Sequence, residues 1–198
     1  MPMLTSVPDM IINLHGFNSA GNNNSCAELR AYFTSEVELI SPTYTVHNFA
    51  RGCADILQAL DKNRAFQQVI SPLFVGSSTG ALYAETLARK FGGRVVLVNP
   101  VVDPVQLKPL IGPQQNYATG LEYEFTMEDW ETFAAVKVDL SLPRLVFIED
   151  GDEKLDHQLT RAHYAEHAEI FVTDGDSHRY THWAEALPEI EKRFFAGG

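Results

Sequence analysis

The stretch Val75-Gly76-Ser77-Ser78-Thr79-Gly80-Ala81 decides how the rest of this chain can fold. The apolar segment before it, residues 69–75, favours a strand. After it, small and apolar residues recur at intervals of three and four, as in a helix: Ala81, Ala84, Ala88 and Phe91. Glycines allow a chain reversal that is too sharp for residues with a β-carbon. The sequence therefore predicts a strand, a tight turn and a helix around Ser78.

In this context the pattern Gly-x-Ser-x-Gly is a nucleophile elbow, which exposes the hydroxyl of the central serine above a sheet. The pentapeptide alone is weak evidence, because chance supplies it in roughly one chain in fifteen of this length. A serine hydroxyl also needs a base within hydrogen-bond reach, and the base needs a carboxylate to orient it. The rest of the chain must therefore supply the partners of Ser78, and Ser77 is interpreted as a small residue that the turn tolerates.

The length and composition of the chain indicate a single acidic globular domain. The chain has 198 residues, 45% of them hydrophobic, which suffices for a single domain with a sizeable core. The net charge of −11 and the scattered positions of the 15 Lys and Arg residues argue against a nucleic-acid partner. Two cysteines, Cys26 and Cys53, are too few for a disulfide framework. Neither a secretory signal nor a membrane-spanning run is visible, so we expect a cytoplasmic protein.

Apolar runs alternate with helical patterns along the whole chain. They predict strands at residues 10–14, 37–40, 69–75, 95–98, 145–148 and 170–173. Helices are predicted between them, at residues 24–34, 53–66, 81–91 and 156–167, and a last one at 183–194. The alternation predicts one α/β domain over residues 1–198 with a mainly parallel central sheet. Functional sites in such sheets lie at the carboxyl ends of strands, where His15, Ser78, Asp152 and His178 are all expected.

Seven histidines compete for the role of base. His178 is favoured because it follows the last predicted strand in a glycine-containing loop that can reach back over the sheet. His182 is the second choice, since it lies one turn further on and is expected inside the last helix. The order Ser78, Asp152, His178 is the nucleophile–acid–base order of α/β-hydrolases.

Asp152 is the preferred acid because it lies just past a buried strand. Asp103, Asp150 and Asp156 remain open as alternatives, and the acidic cluster is equally explained as a solvated turn in which Asp156 caps a helix. The cluster does not match a calcium loop, because Lys154 stands where a ligand would be needed. We therefore expect no metal site.

Two backbone amides are candidates for an oxyanion hole. One belongs to Thr79, the residue after the nucleophile, and the other to Phe17, in the loop after the first strand. His15 in the same loop is interpreted as a structural residue that bonds within its own loop. Residues 103–138 form a long connection rich in aromatic side chains. They are either a lid over the site or an ordinary surface excursion with one helix at 127–136.

Several short stretches, taken together and in order, resemble a known group of proteins. They are Leu14-His15-Gly16-Phe17-Asn18-Ser19, residues 75–80, Val98-Asn99-Pro100, Gly151-Asp152-Glu153 with Leu155-Asp156, Asp174-Gly175-Asp176-Ser177-His178, and the segment from Gly112 to Gly120. With these residues the sequence resembles the α/β-hydrolase superfamily and, within it, the small bacterial esterases of the YqiA type. The resemblance covers almost the whole chain.

The resemblance implies a three-layer α/β-hydrolase fold without the leading hairpin of larger members. It also implies a cytoplasmic, cofactor-free hydrolase of acyl esters or acyl-CoA thioesters that uses Ser78, Asp152 and His178. The alternative hypothesis is a hydrolase-fold protein that binds a ligand or partner under residues 103–138 without catalysis. Acyl transfer to an alcohol cannot be separated from hydrolysis by sequence, and acyl chain length, leaving group and oligomeric state cannot be predicted from it.

Overall fold

A computed structural model describes residues 7–33, 37–138, 140–175 and 177–196 of the chain. The region before residue 7, Thr34 at the predicted end of the first helix and Asp176 in the predicted histidine loop lie outside the described residues.

Within the described residues, eight strands form a parallel sheet and a separate hairpin. The strands are β1 Met10–Leu14, β2 Glu38–Ile40, β3 Pro72–Ser77, β4 Arg94–Val98, β5 Gly112–Gln115, β6 Glu122–Phe125, β7 Arg144–Glu149 and β8 Glu169–Thr173. Six of them make one sheet in the order β2-β1-β3-β4-β7-β8, and every neighbouring pair is parallel. The remaining two, β5 and β6, pair with each other in antiparallel fashion. The prediction of a mainly parallel sheet is confirmed.

Helices cover both faces of the sheet. They are α1 Asn24–Phe33, α2 Phe49–Lys62, α3 Gly80–Phe91, α4 Met127–Ala134, α5 His157–Tyr164 and α6 Trp183–Ile190. Side chains of α1 and α6 pack in one apolar cluster, with Ile11, Val75 and Val96 of the sheet. Side chains of α2, α3 and α5 pack in the other, with Ile12, Phe74 and Leu97. Successive strand residues thus face opposite layers, and the fold is the expected three-layer α/β-hydrolase fold. Of the helices within the described residues, none combines the length and apolar character needed to cross a bilayer.

Local hydrogen bonds correct several predicted boundaries. The second helix begins four residues early, because the Asn48 side chain accepts from the Arg51 amide, and it ends at Lys62. The elbow strand begins at Pro72 because the Asp9 carboxylate holds the two preceding amides, those of Ile70 and Ser71. The side chains that set these two boundaries, Asn48 and Asp9, are of types common in any loop, so hydrophobic periodicity could not reveal the boundaries.

Residues 103–138 contain more structure than the single helix expected there. A short 3-10 helix, Pro104–Leu110, follows β4, and the hairpin of β5 and β6 comes next. The predicted helix at 127–136 is confirmed as α4, which ends at Ala134.

The backbone is tightly packed at the elbow. A β-carbon at Gly80 would collide with the carbonyl oxygen of Leu14 at the end of β1. One at Gly76 would lie 2.6 Å from the Gly80 carbonyl oxygen and 2.8 Å from the Ala81 backbone. Glycine is therefore required at both positions by close backbone approach.

This packing predicts that Gly80→Ala will destabilise the fold, because neither the Leu14 carbonyl nor α3 can move without separating β1 from β3. We expect a loss of about 2 kcal/mol or more in the free energy of unfolding, measured by urea denaturation. The control is Gly120→Asn, at a position with φ 73° and no atom near its would-be β-carbon. Asparagine tolerates this conformation, so the control should stay within about 0.5 kcal/mol of wild type. Equal stability of both variants would contradict the packing argument.

Candidate active site

The elbow presents Ser78 at the carboxyl end of β3. Its backbone has φ 54°, in the left-handed region that non-glycine residues rarely adopt. The Ser78 amide donates to the Val98 carbonyl at 3.0 Å, and its own carbonyl accepts from the Val101 amide at 3.1 Å. The strand β4 and the segment that follows it thus hold the strained residue in place, as strained residues at functional sites require.

The structure brings Ser78, His178 and Asp152 into one hydrogen-bonded row. His178 Nε2 lies 2.8 Å from Ser78 Oγ, and His178 Nδ1 lies 2.7 Å from Asp152 Oδ2. A carboxylate accepts only, so Nδ1 carries the ring proton and Nε2 is free to accept from the serine hydroxyl. The three residues follow β3, β8 and β7 respectively, so the parallel sheet collects them at one edge.

Asp152 is held in its ionised form. Burial acts to raise its pKa, but the hydrogen bond and charge of His178 act against it. The amides of Lys154 and Leu155 also donate to Oδ1, at 2.8 and 3.0 Å. Together these contacts lower the pKa of Asp152 below its usual value. The carboxylate can therefore stabilise a protonated His178.

Two of the competing carboxylates, Asp103 and Asp156, have other partners. Asp103 caps the short helix Pro104–Leu110 by accepting from the Val105 amide at 2.8 Å. Asp156 caps α5 by accepting from the Gln158 amide at 2.8 Å, as the capping alternative predicted. Both carboxylates therefore stabilise helix starts.

His182, the second choice for the base, belongs to a separate pair. The prediction that it lies inside the last helix is wrong, since it occupies the position just before α6. Its Nδ1 lies 2.9 Å from Oε1 of Glu149, whose side chain is fully buried. The same oxygen accepts from the amide and hydroxyl of Thr181, at 2.6 and 2.9 Å. Glu149 thus anchors the far end of the histidine loop, residues 174–182.

Sequence reasoning missed the groups that hold the backbone of His178. Asn99 has φ 40°, and its Nδ2 donates to the His178 carbonyl at 3.0 Å. Its Oδ1 accepts from the Glu149 amide at 2.8 Å, and Glu153 accepts from the His178 amide at 2.6 Å. The signal in the sequence was that Asn99 directly follows a buried strand and that both Asn99 and Glu153 lie in the stretches that carry the family resemblance.

The loop His15–Ser19, which we call the oxyanion loop, lies directly against the elbow. A β-carbon at Gly16 would approach the Ser78 β-carbon to 2.9 Å, so glycine lets the two backbones meet. Phe17 and Thr79 line the same cavity as Ser78 and His178. The residues predicted to supply the two amides are therefore next to the serine.

His15 is a structural residue within this loop, as interpreted from sequence. Its ring is fully buried, with Nδ1 2.9 Å from the Gly16 carbonyl. Nε2 accepts from the Tyr44 amide at 3.4 Å, so the neutral ring uses both of its nitrogens. Burial lowers the pKa of His15 to about 4, and the bond to Gly16 offsets only part of that effect.

A cavity of about 780 Å³ opens beside Ser78. One group of lining residues is apolar and comes mainly from the short helix and its neighbours: Val101, Leu107, Pro109, Leu110 and Leu155. Another group is polar and comes from the start of α1 and the end of β3: Asn23, Asn24, Ser25 and Ser77. The cavity is large enough for a small organic molecule with apolar and polar parts. Within the described ranges, no group of three or more His, Cys, Asp and Glu side chains is arranged to hold a metal ion.

The buried neutral His15 predicts acid sensitivity of the fold. Its folded pKa of about 4 lies below the ordinary value of 6.5, so the unfolded chain binds the proton more tightly. Stability should therefore be complete above pH 6.5 and fall as the pH drops toward 4, by up to about 3 kcal/mol from this group. His15→Gln keeps a donor and an acceptor without a titratable ring, and urea unfolding across this range should show a flatter profile. Identical slopes for the two proteins would contradict the assignment.

Comparison with known proteins supports the fold. Residues 10–196 match the family described as an uncharacterised protein family, UPF0227. The UPF0227 protein YcfP of Escherichia coli O9:H4 (strain HS) is 26% identical over 185 residues, which cover 92% of this chain and 97% of YcfP.

Several solved structures are similar in fold. Est1E from Butyrivibrio proteoclasticus has a TM-score of 0.73 and 17% identity, with 96% of this chain and 88% of Est1E covered. Est1E has also been solved with ferulic acid bound. The mouse alpha/beta hydrolase domain-containing protein 10 has a TM-score of 0.67 and 16% identity, with 92% of this chain and 88% of that chain covered. The match over residues 10–196 shows that the chain belongs to the UPF0227 family, and the structural similarity shows that it has the α/β-hydrolase fold.

Proposed function

We propose that this protein is a serine hydrolase that cleaves acyl esters or acyl-CoA thioesters, with Ser78 as nucleophile, His178 as base and Asp152 as acid. The observation that supports it most is the continuous row from Ser78 Oγ through His178 to Asp152, with both contacts below 3 Å. That row has the geometry and protonation pattern of a nucleophile, its base and the group that orients the base.

The first half-reaction makes an acyl-enzyme. Ser78 Oγ attacks the acyl carbon while His178 Nε2 takes the hydroxyl proton, and Asp152 stabilises the imidazolium. The carbonyl oxygen becomes an oxyanion, which the amides of Phe17 and Thr79 would hold. When this intermediate collapses, the bond to the leaving alcohol or thiol breaks, and His178 returns the proton to the leaving group.

The second half-reaction releases the acid. Water enters the place of the leaving group, gives a proton to His178 and attacks the acyl carbon. A second oxyanion forms in the same position and collapses as Ser78 Oγ leaves with the proton from His178. The chain's own side chains and amides supply every group in this proposal, so it needs no cofactor.

The cavity supports an acyl substrate of moderate size. The short helix Pro104–Leu110 contributes Leu107, Pro109 and Leu110 as an apolar surface, which suits the acyl group. With the family resemblance, we assign the reaction to the cytoplasm and to a small-molecule substrate.

A panel of 4-nitrophenyl esters of increasing acyl length, with matching acyl-CoA thioesters, would define the acyl chain length and the leaving group.

A fluorophosphonate probe tests the nucleophile. We expect the wild-type chain to be labelled and to hydrolyse 4-nitrophenyl butyrate, because the probe phosphorus reacts only with an activated hydroxyl. Ser78→Ala should lose both properties. Ser77→Ala, which removes only the 3.2 Å contact with Ser25 Oγ, should keep the label. A wild-type chain that is neither labelled nor active on any ester or thioester would leave the non-catalytic binding protein as the better explanation.

The acid is tested by three matched substitutions. Asp152→Asn should lower kcat on the order of 10⁴-fold while the fold remains intact, because an amide cannot fix the productive form of His178. Asp103→Asn and Asp156→Asn are the controls, since asparagine caps helices as well as aspartate does. Both should keep kcat within about twofold of wild type. If Asp103→Asn or Asp156→Asn lost most of its kcat while Asp152→Asn kept a normal kcat, the acid would be Asp103 or Asp156 and not Asp152.

A further inference from the structure

We infer that Asn18 is a positioning residue through which the β5–β6 hairpin holds the oxyanion loop in its catalytic geometry, an inference that rests on the proposed function. Asn18 directly follows Phe17, whose amide is the proposed oxyanion donor. Residues 112–125 would then be a fixed roof of the site, and not a lid that opens for substrate.

Asn18 forms three hydrogen bonds with the hairpin, through its side-chain oxygen, its side-chain nitrogen and its backbone carbonyl. Its Oδ1 accepts from the Tyr123 hydroxyl at 2.7 Å, and its Nδ2 donates to Gln114 Oε1 at 3.0 Å. Its backbone carbonyl accepts from the Tyr117 amide at 3.2 Å. One residue of the oxyanion loop thus contacts both strands of the hairpin and its turn.

Further contacts on either side reinforce this junction. The carbonyl of Ser19 accepts from Asn116 Nδ2 at 2.8 Å. The ring of Phe17 packs edge-on against Phe125, with ring centres 4.9 Å apart. Phe125 is fully buried in the larger apolar cluster. The hairpin is therefore anchored in the core at one end and bonded to the oxyanion loop at the other.

The direction of the hydrogen bonds is consistent along the whole junction. The Tyr123 hydroxyl donates to Asn18, Asn18 donates to Gln114, and Gln114 Nε2 donates to the Leu110 carbonyl at 2.6 Å. Burial raises the pKa of Tyr123 to about 12, so its hydroxyl remains a donor at neutral pH. Its ring stacks on His47 with centres 4.3 Å apart, which aims the hydroxyl at Asn18.

The backbone of Asn18 shows why this support matters. Its φ of 55° lies in the left-handed region, which asparagine tolerates but which costs energy outside glycine. An oxyanion donor must lie about 2.7–3.1 Å from the developing charge, so a small shift of this loop weakens the interaction. Loss of a whole donor costs on the order of 10²–10³ in kcat, and a loosened donor should cost less.

The decisive variant is Tyr123→Phe, because Tyr123 is not among the residues that line the catalytic cavity. It removes one hydroxyl that acts on the site only through Asn18. We expect kcat for 4-nitrophenyl butyrate to fall about tenfold, with KM changed less than about twofold. Asn18→Gly keeps the left-handed backbone but loses both side-chain bonds, and kcat should fall up to about 100-fold.

A transition-state analogue separates positioning from simple stability. Butylboronic acid forms a tetrahedral adduct with an activated serine and places an oxygen in the oxyanion hole. Its inhibition constant should rise in parallel with the loss in kcat/KM for both variants. The double variant Asn18→Gly/Tyr123→Phe should lose no more than Asn18→Gly alone, since the hydroxyl acts through Asn18.

Two control variants remove the same groups elsewhere. Asn22→Gly changes an exposed residue of the neighbouring turn that is not among those lining the cavity. Tyr32→Phe removes an exposed hydroxyl that donates to Glu191 at 2.6 Å, far from the site in the fold. Both should match wild type in kcat and in boronate affinity, and urea unfolding should show that all variants are folded.

The outcomes are distinct. A lower kcat with weaker boronate binding and constant KM supports the inference. An active wild type whose Tyr123→Phe variant keeps kcat and boronate affinity within about twofold overturns the inference alone. A change in KM with constant kcat also overturns it, because that pattern belongs to a lid that controls access. A wild type that neither hydrolyses esters nor binds the boronate overturns the proposed function, and this inference with it.

Discussion

The contact between the elbow and the end of β1 is the constraint on which the site depends. Gly80 meets the Leu14 carbonyl, and Gly16 meets Ser78, with no room for a β-carbon at either position. The close approach lets the loop after β1 lie beside the serine, while Val98 of β4 and Val101 beyond it hold the strained Ser78 backbone by two hydrogen bonds. A wider turn would separate the serine from the amide of Phe17, and the proposed oxyanion hole would lose one of its two hydrogen-bond donors.

The parallel sheet brings catalytic candidates that are distant in sequence close together. Ser78, Asp152 and His178 lie on loops that follow three different strands, and the sheet brings those strand ends to one edge. The longest of the loops, which carries His178, needs additional support. Asn99 holds the carbonyl of His178 and Glu149 holds the amide of Thr181, so the backbone is fixed at the imidazole and just after it. Precise positioning of this kind is what acid–base catalysis requires.

The cavity combines parts with different origins. The apolar surface comes from the connection after β4, the polar surface from the start of α1, and the roof from the hairpin. Asn18 of the oxyanion loop is hydrogen-bonded to the roof, so the segment that shapes the substrate cavity also supports the proposed catalytic amide. In this arrangement, a change in the hairpin would alter substrate fit and transition-state stabilisation together. The connection after β4, which contains the hairpin, would then affect catalysis through its contacts with the oxyanion loop.

The sequence by itself determined the parallel α/β fold, the elbow at Ser78 and the candidates Asp152 and His178, because these depend on local periodicity and on position after strands. The start of α2 was not predictable, since its capping side chain, Asn48, resembles an ordinary loop residue. Only the tertiary structure decided that His182 pairs with Glu149, that Asn99 holds His178 and that Asn18 joins the hairpin. The last two join residues 79 to 105 positions apart, and the pair of His182 with Glu149 spans 33. No local pattern records such contacts, because they arise only when the sheet brings its strand ends together.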